Sequence, residues 1–460
     1  MNAAKKRKDL TQGPVLKTLI LFVLPMLGGS VVTQFYNLAD SVIVGQFIGK
    51  GALAAVSASM PVATVVNLFL LGLSTGSSVI LAQTYGSGDP EAMQRVVGSI
   101  SKLTIILASV LTVTGLVIAW PLLKLMGTPE EIFRDSFLYL VIIFLGTIGQ
   151  TIYQLGSGAL RGVGDSNWAF VFLVICTVLN ILLDLLVVVV FGWGVWGAAF
   201  ATAVSQLVSG IGIIWRMNNG GYGFHVGPKW LKMDQEDVME ILRIGFPASL
   251  QSAGNSIASI FVQSFVNTFG VAFIAANTVV NRVDLFATMP AMAVGTAMSA
   301  FVGQNIVKNK KRVYEGIHVA MVISFVVGVI FCFLLIILRN VLPYAFNSDP
   351  EVVQIAATGL LITAACSAFQ GVDSCLVNAM RGAGKSFIPM ITSTFGSYSR
   401  IPLVYFLAVR PDNPNGAFLA ITIAALLRAV AIVVYYVFLG GKKAIENFDP
   451  EKHSRRGGRR

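Results

Sequence analysis

Twelve long apolar runs constrain the fold of this chain more than any other feature of its sequence. The runs lie at about residues 16–46, 52–83, 95–120, 135–160, 167–191, 196–216, 243–268, 274–304, 315–339, 353–380, 387–409 and 417–439. Each is close to, or longer than, the roughly 20 residues that a helix needs to cross a bilayer. With 55% hydrophobic and 12% charged residues, the composition excludes an ordinary soluble protein of 460 residues. We therefore predict an all-α membrane protein with twelve transmembrane helices.

An internal repeat divides these runs into two sets of six. The segment Arg161-Gly-Val-Gly-Asp-Ser166 matches Arg381-Gly-Ala-Gly-Lys-Ser386, and Gln83 matches Gln304, at offsets of 220 and 221 residues. Because each copy holds an even number of spans, both copies enter the membrane with the same orientation. The sequence thus predicts two six-helix lobes related by an axis along the membrane normal, with a substrate path between them.

Charge and composition place the lobes along the chain. We predict a basic tail at residues 1–15, an amino-terminal lobe with spans one to six at 16–216, a cytoplasmic linker at 217–242, a carboxyl-terminal lobe with spans seven to twelve at 243–440, and a second basic tail at 441–460. Within the linker, Trp230 to Leu242 has the pattern of a short amphipathic helix at the membrane surface.

The basic residues also predict the orientation in the membrane. If both termini are cytoplasmic, 25 of the 33 Lys and Arg residues lie on the cytoplasmic side, as the positive-inside rule requires. The net charge of +11 therefore indicates contact with the lipid bilayer and not with nucleic acid. We expect a monomer in the inner (plasma) membrane of a bacterial-type cell.

The repeated RGxGxS segments carry glycines at the spacing of a tight reversal. We interpret both as cytoplasmic turns, with Ser166 or Ser386 capping the helix that follows. A phosphate-binding loop is disfavoured because Ala379 stands where that motif needs a glycine. The three histidines are scattered and no Ser/His/Asp arrangement is present, so we predict neither an enzyme nor a cofactor.

Ionisable side chains inside the amino-terminal spans are the strongest functional signal, because burial of a charge in hydrocarbon is costly. Asp40 follows Tyr36 by one helical turn, and Asp184 follows Asn180 by one turn. Carboxylate, amide and hydroxyl oxygens suit Na⁺, whereas carboxylates that are desolvated together can equally hold a proton. The residues leave the choice open, and a buried polar cluster that only joins helices is the structural alternative.

The carboxyl-terminal spans carry both acidic and basic side chains. Asp284 and Asp373 have three arginines as available partners, namely Arg282, Arg400 and Arg428. Arg282 and Asp284 are two residues apart on one helix and do not face each other, so any pairing should join different helices. The sequence leaves open whether these residues form structural ion pairs or contact a substrate.

The duplication and its motifs resemble those of the multidrug and toxic compound extrusion (MATE) family of the MOP superfamily. The resemblance rests on the two RGxGxS segments, on Val302-Gly-Gln-Asn305, and on Asp40 preceded by Pro25. It implies secondary active efflux of cationic amphiphilic compounds, driven by inward H⁺ or Na⁺. We expect an antiporter that works by rocking-lobe alternating access. A flippase for lipid-linked sugars of the same superfamily is the alternative, and a passive channel or a receptor-like binding protein is a second one.

The resemblance also implies roles for individual residues. It identifies Asp40, Asn180, Asp184 and Thr202 as the cation-coupling site, with Na⁺ at the first three, and Pro25 as a hinge. The residues expected to line a substrate cleft are Tyr36, Gln154, Asn255, Gln370, Asp373 and Asp284. Asn255 and Gln370 stand where NorM-like members carry acids, so the pattern is closer to the DinF-like branch.

Overall fold

The computed structural model describes residues 9–43, 46–47, 50–231 and 233–449, and within them it contains helices and loops but no strand. The helices of the first half are α1 (Val15–Ile43), α2 (Lys50–Ser87), α3 (Pro90–Leu125), α4 (Glu130–Gly162), α5 (Ser166–Asp184) and α6 (Val195–Asn219). Helix α5 continues into a π-helical segment, Leu185–Val190. The all-α class predicted from the sequence is confirmed.

The second half repeats this order with one additional break. Its helices are α7 (Gln235–Val266), α8 (Val271–Ile306), α9 (Lys310–Leu338), α10 (Pro350–Thr363), α11 (Cys366–Gly382), α12 (Phe387–Val404), α13 (Asn415–Val437) and the short α14 (Gly441–Glu446). Helix α12 continues into a π-helical segment, Tyr405–Val409, as α5 does at the equivalent place in the first half.

Nine of the described helices are long and apolar enough to cross a membrane, and the pair α10 and α11 forms a tenth span if it is counted as one broken helix. The two members of that pair are bent by 46°. The remaining predicted spans correspond to α7 and α12. The sequence predicts that Trp230 to Leu242 forms a short amphipathic helix that leads into span seven. From Gln235 onward these residues form the start of α7, which runs without interruption to Val266.

The chain forms two compact units, and helices α1 and α7 each contribute to both. Unit one contains Leu24–Ser249, and unit two contains Leu10–Val23 with residues 250–449. The change of unit therefore falls beside Pro25 in α1 and close to Pro247 in α7. Proline removes one backbone hydrogen bond from a helix and permits a bend. The two crossing helices, α1 and α7, can therefore bend close to the residue at which each passes from one unit to the other.

The first glycine of each RGxGxS segment permits the same close helix contact in each unit. A Cβ atom on Gly162 would lie 2.6 Å from the carbonyl oxygen of Ser78, and one on Gly382 would lie 2.7 Å from that of Ser299. The two contacts join α4 to α2 and α11 to α8. Since Ser78 and Ser299 are 221 residues apart, the duplication extends to the packing of the backbone.

The second glycine of each RGxGxS segment makes the turn. Gly164 and Gly384 have φ angles of 85° and 78°, a left-handed conformation that favours glycine. The predicted serine caps are wrong. Asp165 occupies the cap position of α5 and accepts a hydrogen bond from the Trp168 backbone N–H, while Ser386 precedes α12 without forming a side-chain cap.

Asp165 is also the centre of a buried polar cluster that ties this turn to the linker. Its Oδ2 accepts two hydrogen bonds from Arg216, at 3.2 and 2.8 Å, and one from the Tyr222 hydroxyl. The Arg216 guanidinium lies over the Trp168 ring at 4.9 Å. Burial, followed by the charge of Asp165, raises the pKa of Tyr222 far above its usual value, so this phenol remains a donor at physiological pH.

Candidate functional site

Three helices of unit one bring polar side chains together in an otherwise apolar interior. Thr202 of α6 is the centre of this group. Its Oγ1 lies 3.3 Å from the Tyr36 hydroxyl of α1 and accepts a hydrogen bond from Asn180 Nδ2 of α5 at 3.4 Å. Asn180 is fully buried, and its Oδ1 has no hydrogen-bond partner among the described residues. A buried amide oxygen without a donor is costly, unless a cation or a proton donor occupies the space before it.

Asp184 lies one helical turn beyond Asn180, at the last residue of α5 before the π-helical segment begins. It is fully buried. Asp40 lies one turn beyond Tyr36 in α1, but its side chain is outside the part of the chain that the structure describes. The structure thus brings Tyr36, Asn180 and Thr202 into contact and places Asp184 on the same side of α5 as Asn180.

The oxygen atoms of these side chains are of the kinds that bind a small hard cation or a proton. The amide oxygen of Asn180, the hydroxyl of Thr202 and the carboxylate of Asp184 are oxygen ligands that suit Na⁺, and a buried carboxylate also retains a proton readily. The described residues contain no group of three or more His, Cys, Asp or Glu side chains arranged for a metal ion.

Three of the four polar residues predicted for unit two have protein partners. Asp373 of α11 forms an ion pair with Arg428 of α13 at 2.5 Å, between helices as expected. Asp284 of α8 accepts a hydrogen bond from Thr363 at 3.2 Å. Asn255 of α7 and the half-buried Gln370 complete the predicted set, and Asn255 Oδ1 accepts a hydrogen bond of 2.5 Å from Ser397.

Several partners of these residues were not predicted from the sequence. Gln154 of α4 donates a hydrogen bond of 2.9 Å to Asn67 of α2, within unit one. Ser397 and Thr363 hold Asn255 and Asp284 in unit two. Asn67 could have been identified from the sequence, because it is an amide within an apolar run. Ser397 and Thr363 could not, since nothing in the sequence distinguishes them from the many other hydroxyl residues within the spans.

Comparison with known proteins gives a consistent result. The MatE family model matches the chain twice, at residues 25–186 and 247–406, so each match begins at the proline where a helix changes unit. The probable multidrug resistance protein YoeA of Bacillus subtilis is 30% identical over 441 residues, which cover 94% of this chain and 95% of that protein. The FAD transporter of Shewanella oneidensis is 23% identical over 94% of this chain and 96% of its own length.

The fold has close counterparts among solved structures. An outward-facing multidrug resistance MATE transporter of the MOP superfamily superimposes with a TM-score of 0.87, covers 97% of this chain and 99% of its own, and is 24% identical. The predicted membrane fold is therefore confirmed. Because the family model matches both halves and a relative of 30% identity spans almost the whole chain, this multi-pass membrane protein belongs to the MatE (MATE) family.

Proposed function

We propose that this protein exports small organic compounds, cationic amphiphiles among them, in exchange for an inward flow of H⁺ or Na⁺ across the inner membrane. Three relatives are named as multidrug resistance or export proteins, which supports this class of activity. The observation that carries the proposal is the buried group around Thr202, where the Asn180 amide oxygen has no partner within an apolar helical unit.

In this proposal, the coupling ion binds the Asp184 and Asp40 carboxylates, with Asn180 Oδ1 and Thr202 Oγ1 as neutral ligands. Tyr36 holds the Thr202 hydroxyl in place from α1. Ion binding drives transport only if it favours one conformation over another. Helix α1 is suited to transmit that preference. It carries Asp40 in unit one, and its first residues, before Pro25, belong to unit two.

The test is uptake of the cationic dye rhodamine 123 by proteoliposomes under an imposed H⁺ or Na⁺ gradient. We expect one of the two gradients to drive accumulation by the wild type, and we expect Asp184→Asn and Asp40→Asn each to reduce it at least 10-fold. Asp135→Asn is the matched control, because Asp135 is an exposed acid of α4. Full gradient-driven transport by both variants would refute this ion site, and accumulation without any gradient would refute antiport.

A further inference from the structure

Unit two contains a half-buried positive charge that the described residues do not neutralise. Of the acids within its spans, Asp373 is paired with Arg428 and Asp284 is hydrogen-bonded to Thr363. Arg400 of α12 makes no ion pair and no hydrogen bond among the described residues, although its Nε is buried. A guanidinium group is always charged at physiological pH and carries five N–H donors. Arg400 therefore needs a hydrogen-bond acceptor that the described residues do not provide.

A second arginine contributes unused donor capacity beside it. Arg428 of α13 meets α12 at Gly396, one helical turn before Arg400. Its side chain runs along Gly396 of α12, where a Cβ atom would collide with it, and its Nε is buried without a partner. Oδ1 of Asp373 is likewise buried and unbonded, and among the described residues Asp373 pairs with Arg428 and not with Arg400. The unbalanced charge of this group is therefore positive.

The broken span adds a third contribution. Helix α11 begins at Cys366, immediately after the 46° bend, and no side chain caps its start. Cys366 Sγ lies 3.5 Å from Thr422 Oγ1, so the start of α11 packs against α13, the helix that carries Arg428. The start of a helix carries a partial positive charge, and discontinuous membrane helices use such starts to hold anionic groups of substrates.

We propose that Arg400 and Arg428, with the start of α11, form a site for the carboxylate of a zwitterionic amphiphilic substrate. Arg400 supplies the unpaired guanidinium, Arg428 the second one, and Asp373 keeps Arg428 in position. Unit one has no such site among its described spanning residues, where the buried acids and amides favour a cation. The inference rests on the proposed transport of amphiphiles and extends it to substrates that carry both charges.

Two dyes that differ in a single group test this site. Rhodamine 110 carries a free carboxylate, and rhodamine 123 is its methyl ester. Binding is measured by fluorescence anisotropy with the full chain in phosphatidylcholine nanodiscs and without an ion gradient, so that a failure of antiport does not affect the result. We expect Arg400→Gln to weaken rhodamine 110 binding at least 10-fold and rhodamine 123 binding less than 2-fold. Arg400→Lys should retain part of the preference.

Arg282→Gln serves as the matched control, because Arg282 is an exposed arginine of α8 in the same unit. Equal weakening of both dyes by Arg400→Gln, or no weakening of either, would overturn the carboxylate site. The variant removes an unpaired, half-buried charge, so its unfolding temperature should equal or exceed that of the wild type. If the wild type binds neither dye, thermal unfolding in benzoate decides: stabilisation of the wild type but not of Arg400→Gln supports the site, and equal behaviour overturns it.

Discussion

At the scale of single residues, buried polar side chains of this protein fall into two groups. Asp165, Arg216 and Tyr222 satisfy one another, which is how a folded interior ordinarily accommodates polar groups. Asn180 and Arg400 instead keep a buried polar atom without a partner among the described residues. The first group holds the structure together, and within the second Asn180 and Arg400 lie where we propose that ligands bind.

Loss of the Tyr222 hydroxyl should therefore destabilise the protein. In Tyr222→Phe, the buried Asp165 carboxylate loses one of its donors, and we expect a cost of about 1–3 kcal/mol in the free energy of unfolding. Thermal unfolding in detergent measures it. Tyr314→Phe is the control, since the Tyr314 hydroxyl bonds to the Lys442 carbonyl in an exposed position at 3.2 Å. Comparable losses in both variants would show that Tyr222 has no special role in the cluster.

At the scale of elements, the starts of the two crossing helices are anchored by arginines. Arg312 of α9 donates hydrogen bonds to the backbone carbonyls of Leu10, Gln12 and Gly13, just before α1. Asn305, which ends the Val302-Gly-Gln-Asn segment, also bonds to the Leu10 carbonyl at 3.1 Å. This segment thus has a structural role that its sequence did not reveal. In unit one, Arg95 of α3 holds the start of α7 through Asp237 at 3.0 Å.

Removal of the Arg312 anchor should release the segment before α1. We expect Arg312→Gln to accelerate amide hydrogen exchange at residues 10–18 by about 10-fold or more, because three backbone carbonyls each lose the hydrogen bonds that Arg312 donates. Mass spectrometry of peptides from the detergent-solubilised chain measures this. Lys311→Gln removes an adjacent exposed charge and should leave exchange unchanged. If both variants exchange like the wild type, these hydrogen bonds do not anchor α1.

At the scale of the whole molecule, the duplication supplies two equivalent helical scaffolds that carry different side chains. The glycine contacts of α4 with α2 and of α11 with α8 are the same in both units. The polar content differs, because Asp184 of the first half corresponds to Tyr405 or a neighbouring apolar residue in the second, while Arg400 and Arg428 occur only in the second. Equivalent scaffolds with unlike interiors suit a transporter that binds an ion in one unit and a substrate group in the other.

The equivalence of the scaffolds predicts equal penalties for the two motif glycines. In Gly162→Ala and in Gly382→Ala, the new methyl group would press on a backbone carbonyl of the neighbouring helix. We expect each to lower the free energy of unfolding by roughly 1–3 kcal/mol. Gly51→Ala has open space around it and should be neutral or slightly stabilising. Chemical unfolding in detergent compares the three, and a severe loss for one motif glycine with none for the other would contradict equivalent packing.

The sequence by itself determined the membrane class, the positions of the helices and the duplication, because hydropathy, Gly and Pro act over a few residues at a time. It also singled out Asn180 and Asp184, since polar groups are costly in apolar runs, whereas Thr202 was identified through the family resemblance. The tertiary structure decided which partners meet: Arg428 with Asp373, Ser397 with Asn255, and Arg312 with the segment before α1. These pairs are 55 to about 300 residues apart, and their contacts depend on how helices pack, which local hydropathy does not specify.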